Sequence, residues 1–414
     1  MRVCATHMSK YSLRIEPICE VLRVRGRSLK LVVLTNTPTP YRISFFNALL
    51  LALRARGAAL HVLYCAIREP HRRWELKLDE QAYPWNVLPG WHPSVHGWYP
   101  HCNPSVLSHL RGIQPTWILS AGAWNIPTVL LAAQRILAGD SYRVFWSESH
   151  ARAVLHPRGL IALARHRALR AYDAFAVPNE ASARFVRTEA GDDATVLFLP
   201  NTVDDEFFTQ PTLGDRRTAR RRLGISETTK VIVSVAQLEP RKGVLELVSG
   251  YEALANEVRA NSMLALVGEG SLRCVLDARA KSLSHGEIRV VGHTDSLGVR
   301  NWLWAADAFA LATKRDPNPL SVIEAAFSGL PLIMSRQAGN TDELVHPGVN
   351  GMVLEQNDSN TIASVLGQVI SQSSETLRVM GARSHEIAIH GFGQSRVARQ
   401  FVDDLFLASR ITCL

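Results

Sequence analysis

The strongest constraint on the fold is a rhythm. Short β-branched runs alternate with amphipathic helical stretches, and the alternation starts twice. Residues 29–36, LKLVVLTN, read as a strand ending in a turn, and YRISFFNALLLALRARG after it as a helix. The same opening recurs at 230–238, KVIVSVAQL, followed by GVLELVSGYEALANEV. Further strand-like runs follow in the first half: LHVLYCA, TWILSAG, YRVFWSES, AFAVPN and TVLFLPN. The second half adds MLALVGEG, IRVVGH, AFALAT and PLIMS. Strands alternating with helices predict parallel sheets covered on both faces. The fold class is therefore α/β, with two Rossmann-like doubly wound domains facing each other across a cleft. The predicted boundaries are an N-terminal extension over 1–28, expected to be disordered, a first domain over 29–205 and a second over 216–390, then a C-terminal helix over 391–414. The polar, Pro- and Gly-punctuated stretch TVDDEFFTQPTLGDRRTARRRLGIS marks the linker. Open sheets of this kind bind ligands at their C-terminal edges, so a site between the domains is expected.

With 414 residues, 47% of them hydrophobic, two cores are readily filled. The six cysteines (Cys4, Cys19, Cys65, Cys102, Cys274 and Cys413) are scattered, with no CxxC pair and no Cys/His cluster. A zinc site is not expected, and a reduced, cytoplasmic compartment is. Apolar runs such as IPTVLLAAQRILAG are interrupted too soon to span a bilayer, and the basic start has no apolar core of a signal peptide. Charge is uneven: residues 1–200 carry about +11 and the remainder about −2. Basic residues are not interleaved with aromatic ones, which argues against a nucleic-acid groove. An anionic lipid surface or a phosphorylated substrate fits the first half better.

Two acids stand eight positions apart in ATKRDPNPLSVIEAAFSGLPLI: Asp316 in a Pro-kinked loop, Glu324 inside the helix that follows. Asn318 suits an N-cap and Pro319 the first helical position; Gly329 suits the residue just past the end. The first turn, Leu320, Ser321 and Val322, then offers free backbone N–H groups to an anion, with the helix dipole behind them. Carboxylates beside such a site are good acceptors for vicinal hydroxyls, as on a ribose or a sugar. A turn-forming Asp316 and a Glu324 paired with a nearby base are the plainer alternative.

A second motif, SVAQLEPRKG at 234–243, lies between a strand and a helix. Pro240 shapes the turn, and Gly243 permits an unusual backbone angle or a close approach. Arg241 and Lys242 would sit at the sheet edge, where they can neutralise a diphosphate. A third, LVGEGSLR at 266–273, lacks phosphate-loop spacing and reads as a tight turn.

In order along the chain, PNTVDDEFF, VAQLEPRKG, LVGEGSLR, VVGHTD, AADAFALATKRDPNPLSVIEAAFSGLPLI and AGNTDELV…GVNGMVL resemble family 4 glycosyltransferases of the GT-B fold. The resemblance covers roughly residues 30 to 400, tightly in the second half and loosely in the first. It implies a retaining transferase with a nucleotide-sugar donor on the second domain, an acceptor on the first, no metal, and a C-terminal helix that crosses back to the first domain. Glu324 would hold the donor ribose and Asp316 the transferred sugar, with Arg241 and Lys242 on the diphosphate. Asn318, Leu320, Ser321, Val322, Gln237 and Gly243 would complete the donor site. The chain departs from the family in having Asp316 where Glu is usual and Gln237 where an Arg is frequent. TPTPYRISFF replaces a Gly-Gly loop, as in a subgroup opening TNxPxPYR, and places Tyr41 and Arg42 toward the cleft. Glu148 and His150, at the end of FWSESH, are the acceptor-side candidates.

The expected activity is sugar transfer from a UDP- or GDP-linked donor to a glycan or lipid-linked acceptor in cell-surface polysaccharide assembly. It would take place in the cytoplasm, at the inner face of the membrane. A nicotinamide dehydrogenase would need glycines after the first strand, and TNTPTPYRIS has none. A non-catalytic nucleotide-sugar-binding scaffold stays open, because Asp316 and Gln237 both depart from the family pattern.

Overall fold

The computed structural model describes residues 28–69, 78–94, 99–122, 126–137, 141–149 and 159–410. Two parallel sheets form its frame. The first holds β1 (Leu29–Thr35), β2 (Ala58–Tyr64), β3 (Trp85–Val87), β4 (Trp117–Ala121), β5 (Tyr142–Trp146), β6 (Ala174–Val177) and β7 (Val196–Phe198) in the order β3-β2-β1-β4-β5-β6-β7. The second holds β8 (Lys230–Val235), β9 (Ser262–Val267), β10 (Glu287–Gly292), β11 (Ala308–Leu311), β12 (Leu332–Ser335) and β13 (Gly351–Leu354) in the order β10-β9-β8-β11-β12-β13. Every residue of β4, β6, β9, β11 and β12 is buried. That is why these strands read as unbroken apolar runs: helices cover both faces.

Two strands were not expected from the sequence. β3 is the three residues WNV at a sheet edge, and β13 is GMVL, closing the other sheet. Both are too short for a period-two signal, and their pairing with β2 and β12 decides them.

Both sheets reverse direction of build at one point: between β1 and β4, and between β8 and β11. At such a reversal the following loops diverge and leave a crevice beyond the strand ends. The chain crosses between domains twice. After β7 it enters the second domain through the helix Leu213–Arg222. After the helix Ser374–Phe392 it returns through the helix Gln394–Ala408. That last helix buries Val397, Phe401, Val402 and Leu405 in the same core as Leu31, Val33, Leu49, Leu53 and Trp117. Ser409 accepts a hydrogen bond from the Trp117 indole (2.9 Å). Among the described residues no helix is long and apolar enough to cross a membrane.

Candidate functional site

The loops after β8 and β11 flank the second-domain crevice, and they are stitched together by backbone. The carbonyl of Arg241 accepts from Lys314 N (2.9 Å), Arg315 N (3.3 Å) and Thr313 Oγ1 (3.1 Å). Gly243 makes this approach possible. Its φ is +67°, and a Cβ there would stand 1.7 Å from the Ala312 carbonyl oxygen. Both reasons the sequence gives for a glycine apply at once. The loop after β12 joins in: Gly339 N donates to the Asp316 carbonyl (2.9 Å), and a Cβ on Gly339 would meet the Pro317 carbonyl at 2.0 Å.

The helix after this loop runs Leu320–Phe327, one residue later than the sequence predicts. Pro319 stands at the N-cap with an extended ψ of 119°, and Asn318 does not cap. The correction has a physical cause: Asp316 Oδ1 accepts from Asn318 N (3.3 Å) and folds the loop back on itself before the helix begins. No side chain caps the helix, so its first-turn N–H groups at Leu320, Ser321 and Val322 are left for a ligand. Gly329, with φ +71°, follows the helix end as expected.

Asp316 and Lys242 are brought together: Lys242 Nζ donates to Asp316 Oδ2, with both side chains largely buried. Arg241 is exposed, and its guanidinium donates to Gln237 Oε1 (2.5 Å). Glu324 is different. Its carboxyl makes no hydrogen bond or ion pair with any described residue, and desolvation pushes its pKa up to about 7. Asp316 does form a turn, but it also holds a lysine; Glu324 has no basic partner.

On the first-domain wall, Thr39 caps the helix Pro40–Ala55 by accepting from Arg42 N (3.4 Å). The Arg42 guanidinium donates to Thr35 Oγ1 (2.5 Å), lies 3.6 Å from Glu148 and sits 5.1 Å above the Trp146 ring. Tyr41 stacks on the same guanidinium at 5.9 Å. Glu148 also accepts from Asn201 Nδ2 (3.2 Å). His150 lies outside the described residues.

Sequence reasoning missed the residues that span the cleft. Asn179 caps the helix Glu180–Ala190 with its oxygen, accepting from Ser182 N (2.9 Å), while its amide donates to the Pro317 carbonyl (3.1 Å) in the other domain. Glu180 N donates to Glu343 Oε1 (3.0 Å), again across the cleft. The strand–Asn–helix order of AFAVPNEA signals the cap but not its second bond. Several buried polar atoms here have no partner among the described residues: Asn318 Nδ2, Asn340 Oδ1, Glu343 Oε2, Asn201 Oδ1 and Thr202 Oγ1. Burial also drives the Glu343 carboxyl pKa upward. Buried polar atoms are normally satisfied, and Asn318 and Glu343 lie beside the cross-cleft contacts of Asn179 with Pro317 and Glu180 with Glu343.

Solved structures share the two-sheet fold. Anabaena HepE in complex with UDP superposes with a TM-score of 0.72 at 16% identity, covering 91% of this chain and 99% of that one. Sucrose-phosphate synthase from Thermosynechococcus elongatus gives 0.69 at 15%, covering 92% and 100%. The fold is GT-B. Residues 215–386, within the second domain, match the family model described as glycosyl transferases group 1. Among curated proteins, a GDP-mannose-dependent monoacylated alpha-(1-6)-phosphatidylinositol monomannoside mannosyltransferase of Corynebacterium glutamicum is 29% identical over 194 residues. That stretch is 45% of this chain and 50% of the relative, so the chain spans about half the length of this match. A D-inositol 3-phosphate glycosyltransferase of Xylanimonas cellulosilytica is 27% identical over 324 residues, 76% of this chain and 72% of the relative.

Proposed function

We propose that this GT-B protein is a retaining glycosyltransferase that moves a sugar from a UDP- or GDP-linked donor to a glycan or lipid-linked acceptor. Cell-surface polysaccharide assembly is the setting that suits it. The observation that carries the reading is the uncapped N-terminus of the Leu320 helix, flanked by Lys242, Arg241 and Asp316 at the sheet's reversal point. A diphosphate placed there meets N–H groups, a helix dipole and two cations. Glu324 offers a carboxyl to the ribose and Asp316 one to the sugar. When the bond from the sugar's anomeric carbon to the diphosphate breaks, those cations and amides absorb the developing charge. The acceptor oxygen forms the new bond on the same face, and its proton leaves with the diphosphate. No metal is assigned a step. Two kinds of relative are in keeping with this: HepE structures holding UDP and UDP-glucose, and a mannosyltransferase named as GDP-mannose-dependent.

Thermal unfolding with UDP, GDP, ADP and CDP, with and without EDTA, tests the reading. Saturation by one nucleotide should raise stability by roughly 2.7 kcal/mol at a hundredfold excess over Kd. The shift should survive EDTA and vanish in Glu324→Ala. Absence of any shift overturns the donor assignment and favours a scaffold.

The acceptor would be met at an anionic membrane. The first-domain helix Leu160–Leu169 exposes Leu160 (84%), Leu163 (65%) and Ile161 (46%), with Arg167 and Arg170 also exposed. It precedes β6 and runs antiparallel to the strands, so this apolar end stands at the cleft edge. Apolar and basic residues together suit a headgroup layer. Pelleting with phosphatidylglycerol vesicles, and not with phosphatidylcholine ones, is the expected result. Equal binding to both, or to neither, removes the membrane from the proposal.

A further inference from the structure

A second polar cluster lies in the first domain, apart from Arg42 and Glu148. His101, 1% exposed, sets its Nε2 3.0 Å from Oε1 of Glu69, itself 6% exposed. Its other ring nitrogen lies 3.0 Å from Nδ1 of His92, and the two rings meet edge to face with centroids 4.9 Å apart. His92 is exposed, and beside it Trp91 is 70% exposed.

The backbone beneath is firmly placed. Trp91 and Cys102 exchange both backbone hydrogen bonds (2.9 and 3.0 Å). Asn103 donates to the carbonyls of Cys65 (2.9 Å) and Leu88 (2.8 Å), and Thr128 donates to the His101 carbonyl (2.9 Å). Cys65 and Leu88 immediately follow β2 and β3, and Thr128 lies in the segment after β4. Cys65 N and Ala66 N in turn pair with the end of β1, at Thr35 and Asn36 (both 2.9 Å). The cluster therefore crowns the C-terminal strand ends of the first domain, the edge that forms the cleft wall. Gly90 is required here, since a Cβ would stand 2.1 Å from Asn103 Nδ2.

A buried carboxylate and imidazole are costly unless they are hydrogen-bonded, and Glu69 and His101 meet that condition through each other. His101 therefore has one ring nitrogen on Glu69 and the other on His92. With its Nδ1 taken up by His101, the His92 ring is held in place and its Nε2 is the nitrogen left to meet a hydroxyl, as donor or acceptor according to tautomer. Desolvation and then the neighbouring His101 lower the His92 pKa. A flat apolar indole beside an oriented ring nitrogen matches the two faces of a sugar, C–H on one and hydroxyls along the rim.

We infer that Trp91 and His92 form a glycan-binding platform on the acceptor wall, with Glu69 and His101 as positioning residues. It would seat a sugar of an acceptor two or more units long, away from the reacting unit. The inference rests on the transferase reading and deepens its acceptor side.

The test is binding of the full chain to an array of oligosaccharides of two to six sugars, with nucleotide-induced thermal shifts measured in parallel. Wild type should bind at least one glycan. Trp91→Ala should weaken that binding about tenfold, and Trp91→Phe, which keeps a ring face, by no more than about threefold. All three proteins should give the same nucleotide shift, which shows that the fold and donor site are intact. Binding of no glycan by wild type, or equal binding by Trp91→Ala, overturns the platform while a nucleotide shift leaves the transferase reading standing. Trp91-dependent glycan binding with no nucleotide shift fails the transferase reading instead.

Discussion

On the second-domain wall, much of what a ligand meets is backbone: the first turn of the Leu320 helix, set by loops that hydrogen-bond through the Arg241 and Asp316 carbonyls. On the first-domain wall the polar groups are side chains clamped by other side chains, with Arg42 held by Thr35, Glu148 and Trp146. A diphosphate is the same object in every nucleotide sugar, and fixed amides suit it. Acceptors differ, and a wall made of side chains can be re-tailored without disturbing the sheet.

The contrast can be broken most forcefully at Gly243. A side chain there collides with the Ala312 carbonyl and strains a left-handed backbone, so the loops after β8 and β11 must part. Gly243→Ala should cost about 3 kcal/mol or more in urea denaturation. A cost near zero would mean that the second-domain wall is not backbone-built.

Glu324 gives the next largest effect. Its folded pKa, about 7, lies above the ordinary 4.5, so the native state holds a proton the unfolded chain has lost. Wild type should therefore lose stability relative to Glu324→Gln as pH rises from 4.5 to about 7, then run parallel to it above. The difference is at most about 3 kcal/mol, read from denaturation midpoints across that range. A pH-independent difference would show that the carboxyl is solvated or paired.

The smallest effect is expected on the first-domain wall. Arg42→Lys keeps the charge but loses the planar fork that spans Thr35 and Glu148 and stacks on Trp146. The acceptor KM should rise roughly fivefold with the donor KM unchanged. An equal rise in both would dissolve the distinction between the walls.

The same contrast explains what could be read from the sequence. Gly243, Pro319 and Gly329 leave marks because backbone geometry restricts residue type, and the two-domain parallel fold was legible from strand runs buried on both faces. The pairing of Lys242 with Asp316, 74 positions apart, leaves none, because it depends on how two loops meet. Asn179 shows its cap and hides its bond to Pro317. Arg216 and Arg220 look like a solvated basic run, yet both bind Asp307, and Arg220 is 1% exposed. Trp91 and His92 sit in a loop without periodicity, and only the contact with His101 singles them out.

The two crossings between domains also fix how the cleft can move. Gln394 N, at the start of the returning helix, donates to Asp205 Oδ2 on the outgoing segment (3.0 Å), and Ser44 donates to Gln394 Oε1 (2.8 Å). Fastened to each other, the crossings behave as the spine of a book and not as two separate straps. Sliding or swivelling one domain on the other would pull this fastening apart. Turning about it leaves it intact and magnifies a small rotation into a wide displacement at the fore-edge. The freedom to open the cleft is thus written into the routing of the chain.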